Sequence, residues 1–201
     1  FLTRITRLRV YDTIIRTSNA ETGTGTLREA LTTAANNGTT ITDLIQFNLP
    51  GTLVSDRTIR LKSQLPFISS NLTIDGTTQP GIPFGVSDAR VIIEPETSPV
   101  YFNALNINGE TNTGGTPATK IAIFGLYIRN FAKITSLATA DLNQGSGLMM
   151  QGDVSSVIIG AQGKGNVFCG NINGIFNISY YYTVGISDVQ IQSNIIGLLD
   201  D

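Results

Sequence analysis

Histidine is missing from all 201 residues, which removes the commonest general base and metal ligand of neutral pH. Cysteine occurs once, at Cys169, so no disulfide can close within the chain. Charge is scarce as well, at 14% of residues with a formal net charge of -2. Long apolar runs are absent: the longest, residues 121–128, contains Gly125 and falls far short of the roughly 18 residues of a membrane-spanning helix. What cationic excess exists is local, because Arg4, Arg7, Arg9, Arg16 and Arg28 face only Asp12 and Glu21 in the same stretch. That density is too low for a nucleic-acid surface and reads as a solvated edge.

What is present points to β structure. Hydrophobic residues reach 41%, and 21 glycines with frequent Thr, Ser and Asn supply turns without supplying charge. A chain of this length forms one cohesive all-β body by default. Residues 9–17 alternate well enough for a first strand, with Val10, Ile14 and Ile15 among polar neighbours. After the polar turn 18–25, Thr26 and Glu29 form a capping box, and Leu27, Ala30, Leu31, Ala34 and Ala35 make one helical stripe. Asn36, Asn37 and Gly38 stop that helix, whose apolar side needs a flat, greasy partner.

From Thr40 onward the apolar runs are short and each is interrupted by turn residues. Leu105-Asn106-Ile107, Leu126-Tyr127-Ile128 and Leu148-Met149-Met150 recur at spacings of 21 and 22, which reads as a rung period. Ile123-Phe124-Gly125, Ile158-Ile159-Gly160 and Ile195-Ile196-Gly197 recur at 35 and 37, so loops of unequal length separate the rungs. Strands too short to bury a face alone are stabilised by stacking into a parallel coil. A sandwich would instead place two-residue hairpins between equal strands, and none is evident. The expected organisation is an N-terminal strand and capping helix over residues 1–39, followed by rungs over 40–201. The final Leu198-Leu199-Asp200-Asp201 reads as a cut within a repeat of a longer parent chain.

The succession Gly25-Thr26-Leu27-Arg28-Glu29-Ala30-Leu31, Asp43-Leu44-Ile45-Gln46-Phe47, Gln64-Leu65-Pro66 and Leu72-Thr73-Ile74-Asp75-Gly76-Thr77-Thr78-Gln79-Pro80-Gly81 resembles the N-terminal region of certain bacterial surface proteins. These are right-handed parallel β-helix proteins with a CSLREA-type start, in the broad pectate-lyase-like fold. Gly165-Asn166-Val167-Phe168-Cys169-Gly170-Asn171 is similar to the rung motifs of that family, and the likeness covers the chain from about Val10. The Cys that often precedes the start motif in relatives is absent here. The resemblance implies an all-β, right-handed parallel β-helix with a short capping α-helix, in an exported, extracellular or cell-surface bacterial protein. It does not imply an enzyme.

No catalytic, cofactor-binding or metal-binding residues stand out. A polysaccharide lyase would need a base and acids holding Ca²⁺, for which Arg129, Lys133 and Lys164 with Asp75, Asp153 and Asp188 are the raw material. No two of those acids are close in sequence, and solvated turns explain them better. Glu94 and Glu96 have a glycosidase-like spacing, but Pro95 and Pro99 suggest a loop. Tyr180, Tyr181 and Tyr182 are the candidate ligand or subunit contact, since alternation in a strand turns at least one ring outward. Cys169 reads as a small buried thiol in phase with Val167. The asparagines of the second half are expected to bond corner backbone groups, and Gly76, Gly109, Gly125, Gly160 and Gly197 to need positive φ. The reading is a non-catalytic structural or adhesive module, partnered by a glycan or by another copy through its C-terminal rung. A carbohydrate-active enzyme or an assembly subunit is the alternative, and no cofactor, nucleic acid or membrane span is expected.

Overall fold

The computed structural model describes residues 11–38, 40–68, 70–97, 100–109, 116–131, 144–178 and 185–197. Its strands form three sheets, and all strand pairings within them are parallel. The first sheet sets side by side β1 (Tyr11–Arg16), β2 (Thr42–Phe47), β4 (Leu72–Asp75), β7 (Ala118–Phe124), β10 (Val154–Ile159) and β13 (Ile186–Ile191). The second holds β3 (Thr58–Leu61), β5 (Val91–Pro95), β8 (Leu126–Arg129), β11 (Val167–Cys169) and β14 (Ile195–Ile196). The third holds β6 (Leu105–Gly109), β9 (Ser146–Gly152) and β12 (Asn173–Ile178), with a bridge from Ile68 to Ile107 at its edge. The chain therefore goes from first to second to third sheet and back, as β4, β5, β6, then β7, β8, β9, then β10, β11, β12. Parallel neighbours cannot be joined by a hairpin, and the passage through the other two sheets supplies the required crossover.

Register explains why such short strands hold. Ile14, Ile45, Ile74, Ile123, Ile159 and Ile191 oppose one another from strand to strand across the whole first sheet. In the second sheet Ile59, Ile93, Ile128, Phe168 and Ile196 do the same. The side-chain period in a strand is two, so a slip of one residue would turn an entire column outward. Within the stack these residues are fully buried, at roughly 1.5–3 kcal/mol of hydrophobic stabilisation each. At the last strands the columns emerge: Ile191 is 48% and Ile196 49% exposed.

α1 (Leu27–Asn36) lies between β1 and β2 in the chain and packs beside β1, the edge strand of the first sheet. Thr26 caps it, accepting from the Glu29 amide at 3.3 Å, while a Glu29 carboxylate oxygen accepts from the Gly25 amide at 2.7 Å. Leu27, Ala30, Leu31 and Ala34 join the main core, so the amphipathic plug faces the stack as its spacing predicts. Ala35, the fifth residue of the predicted stripe, is exposed.

Corners are held by asparagine side chains, as expected. Asn166 accepts from the Leu126 amide at 3.0 Å and donates to the Ile123 carbonyl at 2.9 Å. Asn171 accepts from the Phe131 amide at 3.0 Å and donates to the Ile128 carbonyl at 3.0 Å. Asn194 donates to the Ile159 carbonyl at 2.7 Å.

Three expectations need correction. The echo at 21 and 22 residues is not a rung period: Leu105 opposes Leu148 in the third sheet, whereas Leu126 lies in the second. Gly125, Gly160 and Gly197 do have positive φ, but Gly76 and Gly109 do not. A Cβ on Gly109 would stand 1.9 Å from the Asp153 carbonyl oxygen and one on Gly76 2.3 Å from that of Gly125, so close backbone approach explains these two. Finally, Glu94 and Pro95 belong to β5 and not to a loop.

Candidate functional site

The outward face of the second sheet carries a row of linked ion pairs. Arg60 opposes Glu94 in register on neighbouring strands, and Arg129 stands on the next strand beyond. The Glu94 carboxylate accepts from Arg60 Nε at 3.0 Å through one oxygen and from Arg129 Nε at 2.9 Å through the other. Lys62 and Glu96 repeat the pairing two residues on, at 3.5 Å and with greater exposure. Thr58, Arg60, Lys62 and Glu96 line one wall of a polar groove of about 370 Å³, with Asn19 and Glu21 from the segment before α1 opposite. Glu21 is itself paired to Arg28. Because every cation here already has a carboxylate partner, the groove has balanced charge and presents alternating donors and acceptors. Such a surface hydrogen-bonds hydroxyl-rich molecules better than it attracts a polyanion.

Beside this groove the same face is apolar. Ile92, Tyr127 and Val167 are register partners facing away from the main core, and with Ala89 and Cys169 they form a second buried cluster under Phe84. Cys169 is thus buried in phase with Val167, as predicted, but beneath a loop and not among the inward columns. Burial first, and then Cys169, push the Tyr127 phenol above its usual range. Phe84 is pinned by the Arg57 guanidinium, 4.3 Å from its ring centroid, and Arg57 also donates to the Ile82 carbonyl at 2.8 Å.

Among the described residues considered for lyase chemistry, Lys164 and Asp75 meet and no other two form an ion pair. Arg129 is spent on Glu94. Lys164 pairs with Asp75 at 2.6 Å, and the other Asp75 oxygen caps the turn by accepting from the Thr77 amide at 3.0 Å. Asp88 accepts from the Gly165 amide at 2.9 Å. Asp188 accepts from the Ser156 hydroxyl at 2.9 Å on the far strand of the first sheet. Among the described residues no group of three potential metal-binding side chains exists, and no helix is long and apolar enough to cross a membrane. Lys133 and the proposed contact Tyr180, Tyr181 and Tyr182 lie outside the described residues.

The second recess is of a different kind. Where the columns end, a cavity of about 640 Å³ opens between β12 and β13, lined by Met150, Ile175, Val189, Ile191 and Ile196 with Asn177 and Asp188 at its polar side. Sequence reasoning expected an uncovered last rung, but not the ion ladder on the second sheet. Its signal was present as Arg60-x-Lys62 and Glu94-x-Glu96, two opposite-charge pairs with strand spacing. No protein-family model matches the chain, and no curated protein matches it significantly in sequence.

Proposed function

We propose that the chain is a right-handed parallel β-helix, a non-catalytic structural or adhesive module of an exported bacterial surface protein, resembling those with a CSLREA-type start. The reading is carried by one observation: the unbroken register of the first sheet, six strands deep, in which successive passes of the chain stack like side chains on like. A rigid body of that kind offers long lateral faces. Its polar groove at Thr58, Arg60, Lys62 and Glu96 suits the hydroxyls of a glycan, and of the groups a lyase would use Arg129 is paired to Glu94 and Lys164 to Asp75. The test is a glycan-binding screen of the protein and of the Arg60→Ala/Lys62→Ala and Tyr180→Ala/Tyr181→Ala/Tyr182→Ala variants. The adhesive reading predicts binding that one set of substitutions reduces at least tenfold without formation of shortened or unsaturated sugar products. Product formation, or binding indifferent to both sets, contradicts it.

A second reading is favoured by the exposed column ends. Ile191 and Ile196, in the last strands of the first and second sheets, leave about half of their apolar surface exposed. An assembly subunit would associate through that end, and Ile191→Lys/Ile196→Lys would abolish concentration-dependent self-association in sedimentation velocity. A wild-type protein that stays monomeric across the accessible concentration range removes this reading.

A further inference from the structure

The inward column of Leu72 contains an acid within a hydrocarbon stack. Asp43 on β2 opposes Leu72, and beyond it the column continues through Ile121, Val157 and Val189. Its side chain is fully buried, at 0% exposure. One carboxyl oxygen accepts from the Asn37 side-chain amide at 2.7 Å; the other is buried without any hydrogen-bond partner.

Among the described residues the charge that bears on this carboxyl has its own sign. The register partner of Asp43 on β1 is Asp12, whose carboxylate takes a hydrogen bond from the same Asn37 nitrogen at 3.1 Å. Asn37 is the C-cap of α1, so both acids lie at the negative end of the helix, and the last turn of α1 contains no base. The charged residues of α1, Arg28 and Glu29, are in its first turn and are engaged with Glu21 and Arg16. On the other side β4 offers only Leu72. Asp12 is therefore the one charged group among the described residues that bears on Asp43, and it repels.

We infer that Asp43 carries a proton in the closed N-terminal cap, and that this proton latches α1 onto the stack in acid and releases it as the pH rises. Burial, followed by the Asp12 charge, pushes the carboxyl above its ordinary range, while the bond from Asn37 opposes the shift. The sign follows from proton linkage. Between the unfolded value, about 3.9, and the higher folded value the closed state binds more protons than the open one. Stability of the cap is thus complete below that window, declines as pH rises through it, and stays low above it. Opening exposes the apolar side of α1, Leu27, Ala30, Leu31 and Ala34, which is otherwise buried in the core.

Amide hydrogen exchange on the full chain, corrected for intrinsic rate and followed from pH 4 to neutral, reads this directly. In the wild type, protection of the α1 amides relative to those of β7 is expected to fall on the order of tenfold for each unit by which the Asp43 carboxyl is raised. Asp43→Asn should abolish that fall and Asp12→Asn should reduce it. Constant relative protection in the wild type, or an undiminished fall in Asp43→Asn, overturns the inference. Should Asp43→Asn fail to fold, the carboxyl ¹³C shift of Asp43 in the wild type decides: a midpoint above that of an unfolded Asp supports the latch, and one at or below it refutes it. Added Ca²⁺ that restores α1 protection at neutral pH in the wild type but not in Asp43→Asn would also refute it, by showing a metal ion in place of the proton.

Discussion

Glu94 is nearly buried and is held between two guanidinium groups, one of them half exposed. Its removal strands Arg129 on an apolar face, whereas Arg60 regains solvent. Glu94→Ala is therefore expected to lower stability in urea by about 1–3 kcal/mol, with most of the loss on the Arg129 side. A double-mutant cycle with Arg129→Ala should return a coupling larger than the cycle with Arg60→Ala. Glycines sort just as sharply at this scale. Gly109→Ala drives a Cβ to 1.9 Å from a backbone oxygen, which neither neighbour can relieve without breaking the corner between β9 and β10, while Gly185 has open space and no positive φ. Gly109→Ala should unfold the protein or cost several kcal/mol, and Gly185→Ala should stay within about 0.5 kcal/mol of the parent in the same denaturation experiment.

At the scale of elements, α1 shows why some structure is legible in sequence and some is not. Its capping box and its apolar spacing are local signals, complete within a dozen residues, and the helix runs from Leu27 to Asn36 as they predict. Thr26→Ala should cost about 1 kcal/mol, read by urea denaturation, and Thr26→Ser close to nothing. Strand partners are a different matter. Leu126-Tyr127-Ile128 looks like Leu105-Asn106-Ile107 in every local respect, yet the two belong to different sheets, because loop lengths between passes vary and the register partner lies far away in the chain. The same limit hid the ion ladder: Arg60 and Glu94 become neighbours only once β3 and β5 are known to pair. Asparagines were easier, since their residue type alone favours corner bonding. Asn166→Ala leaves the Leu126 amide without its partner, while the Ile123 carbonyl keeps the Gly160 amide, and should cost about 1–3 kcal/mol, with exchange at Leu126 accelerated first.

For the molecule as a whole, the two ends of the first sheet behave differently. One end is covered by a helix whose seat includes a buried acid, and the other leaves two apolar columns half exposed. Composition and short interrupted runs were enough to anticipate a mostly β chain of parallel strands with one helix. They could not anticipate an acid within the plugged end, because Asp43 is unusual only by virtue of what lies above and below it. The groove, the helix seat and the exposed Ile191 and Ile196 are each defined by which strand lies next to which.

Isoleucine methyl groups report that order without reference to any activity. In a protein labelled at Ile δ1 methyls, with single Ile→Val substitutions for assignment, strands about 4.8 Å apart place neighbours of one column in direct contact. The predicted nuclear Overhauser effects link Ile45 to Ile74, Ile74 to Ile123 and Ile123 to Ile159, in that order and without a link from Ile45 to Ile123. An Ile74 methyl that meets Ile45 but not Ile123, or a chain of contacts in any other order, would contradict the stacked account.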